Sequence, residues 1–154
     1  MTLRPVAAVH LAMRRGVTLL ELIAVLAIVA VLTTIALARL VPLLDWIAAD
    51  GAARDVTTAL AVTRTAAVLR GARARLRIAA DSLRIDREGP AGWEPYARWA
   101  GPASVGVSLT VSNPEIVFSP LGIAWGLGNT RVVLRRGSQI ETITTSRLGR
   151  VRRS

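Results

Sequence analysis

The chain has no cysteine and, among its 20 basic residues, no lysine; it has one histidine, His10. Without thiols there are no disulfides, no thiolate metal sites and no Cys/His pair. With a single histidine near the N-terminus there is no Ser/His/Asp set and no usual zinc constellation. Acids are also scarce, 10 in all. Asp81, Asp86 and Glu88 lie close in sequence, but Arg84 and Arg87 interleave with them, and turn chemistry accounts for Asp81. Gly122, Gly126 and Gly128 lack the Lys-Ser/Thr of a phosphate-binding loop and read as loop glycines. Aromatics make up 4% of the residues. Trp93, Trp99 and Trp125 can stack bases, although filling a core or a protein interface is the commoner role. These absences point away from an enzyme and call for no catalytic, cofactor-binding or metal-binding residue.

What the chain does have is a long apolar run. From Val17 to Ala38 it is broken only by Thr18, Glu21, Thr33 and Thr34, 22 residues or about 33 Å of helix, close to the hydrocarbon thickness of a bilayer. Glu21 sits at its head, where a charge is costly unless something specific receives it. A secretory signal peptide would place its small-residue cleavage site after the apolar core; here Gly16 precedes it. A plain membrane anchor leaves Glu21 unexplained.

Gly16-Val17-Thr18-Leu19-Leu20-Glu21, followed by Leu22-Ile23-Ala24-Val25-Leu26-Ala27-Ile28-Val29, resembles the class III signal of type IV pilins and type II secretion pseudopilins. That resemblance implies that a prepilin peptidase cuts after Gly16 on the cytoplasmic side and N-methylates Val17. It also implies that Glu21 is the filament-assembly glutamate. Val17 stands where the family usually has Phe, and Ala38 near where many members place a Pro, with Pro42 one turn later. The physics of Glu21 agrees. The positive end of the helix dipole favours an anion by a fraction of a kcal/mol, too little to offset burial in lipid. A neighbouring subunit's α-ammonium supplies the rest and turns the penalty into a drive to assemble, and breaking such a buried pair costs on the order of 3–5 kcal/mol.

The implied organisation is a leader at 1–16, a transmembrane and filament-core helix at 17–41, its amphipathic continuation at 42–71, and a β-rich periplasmic head at 72–154. Cleavage leaves 138 residues and lowers the net charge from +10 to +7, because the leader carries Arg4, Arg14 and Arg15 and no acid. Basic residues before the apolar span put the N-terminus in the cytoplasm and the head outside, in a single pass of the bacterial inner membrane. The all-arginine composition reflects either genomic base composition or selection for forked hydrogen bonding.

Beyond the apolar run, Val56, Leu60, Thr63 and Ala67 fall on one helical stripe, with Arg54, Asp55, Thr58 and Arg64 off it. Asp50 and Arg54 are spaced to pair, Gly71 is a plausible helix stop, and Pro42 and Gly51 are candidate bends. The period then changes to two. Arg73, Arg75 and Arg77 alternate with apolar residues on a half-buried strand, and 83–87 is its hairpin partner. Residues 88–92 read as a loop, 93–99 as an uncertain, short-stranded region. Strands are expected at 104–111, 115–118, 130–135, 139–145 and 148–152, with no repeat. The fold class is α+β and pilin-like: a long N-terminal helix packed on an antiparallel sheet.

Phe118-Ser119-Pro120-Leu121-Gly122, the hairpin 131–145 and Gly149-Arg150-Val151-Arg152 resemble the domain shared by H-type minor pseudopilins of type II secretion and FimT-type minor pilins. FimT-like members bind DNA through such a terminal Gly-Arg-x-Arg. Residues 131–153 hold seven Arg against Glu141, so Arg147, Arg150, Arg152 and Arg153 are candidate phosphate contacts for weak, salt-sensitive binding. Alternatively, they are a solvated basic edge that discourages strand pairing. The Arg73, Arg75, Arg77 and Arg84 stripe adds to a phosphate surface or is the solvent side of a hairpin. Two functions follow from the resemblance. The leading one is a minor pseudopilin, a structural subunit of the type II secretion pseudopilus in protein export across the outer membrane. The other is a FimT-like minor pilin that binds DNA for uptake. The implied partners are other pseudopilins or pilins, the prepilin peptidase, the inner membrane and, weakly, DNA.

Overall fold

The computed structural model describes residues 17–125 and 129–154. The expected leader, including Gly16 and His10, and loop residues Gly126 and Gly128 lie outside the described residues. The chain divides into two compact units with the boundary between Ala38 and Arg39, so the second half of the helix belongs with the head.

One helix, α1 (Leu19–Arg70), runs unbroken through both Pro42 and Gly51. Thr18 caps it: its Oγ1 accepts the backbone N–H of Glu21 at 3.2 Å, the main-chain half of a capping box. Thr33 and Thr34 donate their hydroxyls to the carbonyls of Val29 and Ala30 at 2.7 and 2.9 Å. These two threonine breaks in the apolar run therefore leave no unsatisfied hydroxyl donor. Gly71, with φ +61°, ends α1 in the left-handed region.

Among the described residues, nine strands follow in two antiparallel sheets. The first is ordered β3 (Gly92–Ala100), β2 (Ser82–Gly89), β1 (Ala74–Ile78), β5 (Glu115–Phe118), β6 (Ala124–Trp125). The second is ordered β4 (Ser108–Val111), β7 (Thr130–Arg136), β8 (Gln139–Thr145), β9 (Val151–Arg153). Both inner faces pack on the second half of α1 in one core, which joins Val56 and Leu60 to Leu76, Ile85 and Phe118 of one sheet and Leu134 and Ile143 of the other. The helix face is largely alanine (Ala49, Ala52, Ala53, Ala59, Ala66 and Ala67 are buried), so backbone and sheet approach closely while larger strand residues fill the layer. The expected stripe of Val56, Leu60, Thr63 and Ala67 is buried, and Arg54, Asp55, Thr58 and Arg64 are exposed.

Several boundaries differ from expectation. Residues 93–99 lie within one continuous nine-residue strand, β3, and the loop before it shrinks to Pro90-Ala91, because Gly89 already pairs with Gly92. The strand expected from Ser104 starts at Ser108, because residues 102–105 are a 3-10 turn in which Pro102 pre-sets a helical φ and Gly106 (φ +70°) ends the turn. The last strand starts at Val151, not Leu148, because Ser146–Gly149 form a turn closed by the Gly149 N–H on the Ser146 carbonyl. β3 also carries a bulge. Ile85 opposes Ala97 while Asp86 opposes Pro95, leaving Tyr96 over.

Candidate functional site

The N-terminal segment gathers the residues expected to direct assembly. Val17 and Glu21 are both exposed, and Glu21 lies in the first turn of α1, where the unpaired N–H groups favour an anion. Among the described residues α1 is the one helix long and apolar enough to cross a membrane.

The four arginines expected to act together at the C-terminus have different surroundings. Arg153 points to the inner side of β9. Its Nε donates to Glu141 at 2.9 Å, and its Nη2 reaches Asp50 on α1. Asp50 also pairs with Arg54 at 2.8 Å. The hydrogen bond from Arg153 holds the Asp50 carboxyl below the ordinary range, and Arg153 itself is pushed up by its bonds to Glu141 and Asp50. Arg153 thus ties β9 to the helix. Arg152, opposite Thr144, faces out, and Thr144 in turn is opposite Arg131. Arg150 precedes β9 and lines a groove against α1 rather than alternating with Arg152 on a strand. Arg147 is exposed, and its carbonyl accepts the Ala124 N–H at 3.0 Å, joining the two sheets.

A basic face that the sequence reading missed lies on the outside of the four-stranded sheet. Arg131, Arg135 and Arg152 share it with Thr110, Thr142 and Thr144, and no carboxylate of that sheet shares it, because Glu141 turns inward to Arg153. Counting alternation outward from buried Val132 and Leu134 would have found it.

The arginine stripe on β1 is neutralised on the spot. Arg73 pairs with Glu88, Arg75 with Asp86 at 2.9 Å, and Arg77 with Glu115 at 3.1 Å. Arg84 adds a second bond to Asp86 at 2.8 Å. Asp86 has no exposed surface; burial raises its pKa, but the bonds from Arg75 and Arg84 outweigh that and leave the carboxyl below the ordinary range. Trp93 covers the Arg75 guanidinium at 4.5 Å and Arg73 lies between Trp93 and Trp125 at 6.0 and 5.8 Å. The stripe is the outer side of a hairpin, with its tryptophans occupied by arginine.

The profile of the type II transport protein GspH matches residues 52–149, well over half the chain, and the prokaryotic N-terminal methylation motif matches residues 11–37. The chain belongs to the GspH family. The family match spans the α1 face that carries the core, both sheets except β9, and Gly149, and stops before Arg150. Among solved structures the fold is similar to the type IV minor pilin FimU of Pseudomonas aeruginosa, at 14% identity over 68% of this chain and 86% of that one, with a TM-score of 0.58. It is also similar to the minor pseudopilin EpsH from the type II secretion system of Vibrio cholerae, at 15% identity over 69% of this chain and 95% of that one, with a TM-score of 0.57. No curated protein matches the sequence. The protein is thus a minor pseudopilin- or pilin-like subunit, structural in kind. Its apolar helix and methylation motif mark a membrane-anchored, single-pass chain that is processed by a prepilin peptidase and assembles with other pilin-type subunits.

Proposed function

We propose that the protein is a minor pseudopilin of a type II secretion pseudopilus, a structural subunit in protein export across the outer membrane. The observation that carries this reading is the family match itself, to a type II transport protein, joined to a capped apolar helix with Glu21 in its first turn. Cleavage after Gly16 frees Val17, which is methylated; Glu21 meets the new α-ammonium of a neighbour and sets the register of the filament. Leader and N-terminus are cytoplasmic and the head is periplasmic. Mass spectrometry of the protein from cells that contain prepilin peptidase should find N-methyl-Val17 at its start. An intact Met1 start would overturn the processing, and a Gly16 substitution should leave an uncut, membrane-held precursor.

A second reading, a FimT-like minor pilin that binds DNA, has one observation in its favour, the carboxylate-free face of Arg131, Arg135 and Arg152, with exposed Arg150 near the same terminus. Such a face neutralises a few phosphates, so log K should fall with log salt by about 0.9 per phosphate. The full chain in detergent should then bind duplex DNA of any sequence at low ionic strength, and Arg131→Gln with Arg152→Gln should lower the slope by up to about two. Failure to bind at low salt removes this reading and leaves the first.

A further inference from the structure

Two hairpins in different sheets end in the same turn. Ser119-Pro120-Leu121-Gly122 joins β5 to β6, and Ser146-Arg147-Leu148-Gly149 joins β8 to β9. In each, the glycine N–H donates to the serine carbonyl (2.8 and 2.9 Å). The residue after the glycine donates its N–H to the serine hydroxyl (3.4 and 3.2 Å). The serine N–H donates back to that residue's carbonyl, at 2.9 Å in both. Both glycines are left-handed, at φ +72° and +73°. The turns meet at these glycines, since a Cβ on Gly149 would lie 2.7 Å from the Gly122 carbonyl oxygen. They also sit on the last turns of α1, since a Cβ on Gly122 would lie 2.9 Å from Arg64 Nε and 3.2 Å from Val68 Cγ2.

The equivalent leucines of the two turns, Leu121 and Leu148, are 80% and 72% exposed, beside the end of α1 where Leu69 is 80% exposed. A lone exposed leucine is ordinary, but three carried by two hydrogen-bonded turns and a helix end form a preorganised apolar knob, the kind of feature that marks an interaction site. An apolar groove of about 580 Å³ runs alongside, floored by Leu60 and Phe118 and rimmed by Arg64 and Arg150, with no carboxylate in its lining. The partner's charge follows from that rim. It does not come from a second copy. The head's carboxylates outside any ion pair among the described residues, Asp55, Asp81 and Glu94, lie on α1, in the turn before β2 and on β3.

We propose that these paired turns are a docking knob, which seats the head on an apolar, carboxylate-bearing face of a different pilin-type subunit. The inference rests on the filament-subunit reading above. It is tested in the native host with the full chain. Because the chain has no cysteine, Leu121→Cys or Leu148→Cys places one reactive thiol for benzophenone maleimide, whose ketone on irradiation inserts into a C–H bond of whatever lies against it. Either variant should link to another pilin-type subunit through a peptide that contains Asp or Glu. Leu121→Asp with Leu148→Asp, scored from a Leu69→Cys thiol, should cut that product about tenfold, as expected for a charge forced into an apolar contact. Arg64→Gln with Arg150→Gln should lower it less and remove its salt dependence. Ala27→Cys, in the apolar helix, reports filament incorporation separately. If Ala27→Cys links while the knob positions stay fully open to maleimide, the knob is refuted and the filament reading stands. If neither links, both fall. Links to a second copy of this chain would also overturn the proposal.

Discussion

Arg152 and Arg153 are adjacent in sequence and do opposite things, because successive strand side chains leave opposite faces. Arg153 spans Glu141 and Asp50 and so holds the last strand to α1, while Arg152 stands among threonines on the outer face. Arg153→Gln should therefore loosen β9, seen as faster amide exchange at Thr142 and Ser154, which pair through 2.9 Å bonds. Arg152→Gln should leave that exchange unchanged. Gly149 belongs to the same scale. The glycine of the terminal motif is there for the backbone, since φ is +73° and any Cβ would press on the Gly122 carbonyl. Gly149→Ala should cost about 1–3 kcal/mol in urea unfolding of the full chain in detergent. A change below a few tenths would show that the turn relaxes freely.

Among the elements, the β1–β2 hairpin is held on its outer side by charge. Asp86 is buried beside the bulge, bonded by Arg75 and Arg84, with Trp93 stacked over Arg75. Asp86→Ala would strand two guanidiniums and should cost on the order of 3 kcal/mol of head stability. The native pKa of Asp86 lies below its ordinary value of 3.8. Its contribution is therefore fully present above about pH 4 and is lost as pH falls from there through the native pKa. Acid unfolding followed by tryptophan fluorescence should show a steep loss in that window, flattened in Asp86→Asn. The sheet edges are blunted in different ways. β3 is long but carries Pro95 and the Tyr96 bulge, β6 has two residues, and β9 ends in two arginines, so edge-to-edge pairing is discouraged at each.

For the whole molecule, the balance lies between an apolar anchor and a charged head, and Glu21 is where the two demands meet. Glu21→Leu makes the span more apolar, so membrane insertion should be retained, yet incorporation into filaments, followed by cross-linking to partner pilins, should drop sharply. Unchanged cross-linking would show that Glu21 is not the register contact. Much of this architecture was legible in the chain itself. The apolar run headed by Glu21, the helical stripe of Val56, Leu60, Thr63 and Ala67, the β1–β2 alternation and the Gly71 stop all rest on interactions between near neighbours in sequence, so the sequence pattern shows them. The nine-residue β3, the 3-10 turn at Pro102 and the start of β9 at Val151 were not, because strand ends depend on which partner strand is alongside. Which arginines are spent on Asp86, Glu88, Glu115, Asp50 and Glu141, and which remain for a partner, depends on pairs as far apart as Asp50 and Arg153. The repeated Ser-x-Leu-Gly was visible as letters, but nothing in them told that two turns 27 positions apart would meet at their glycines. Local chemistry determined the elements and the membrane signal, and long-range packing alone decided which charges and leucines the head shows to the outside.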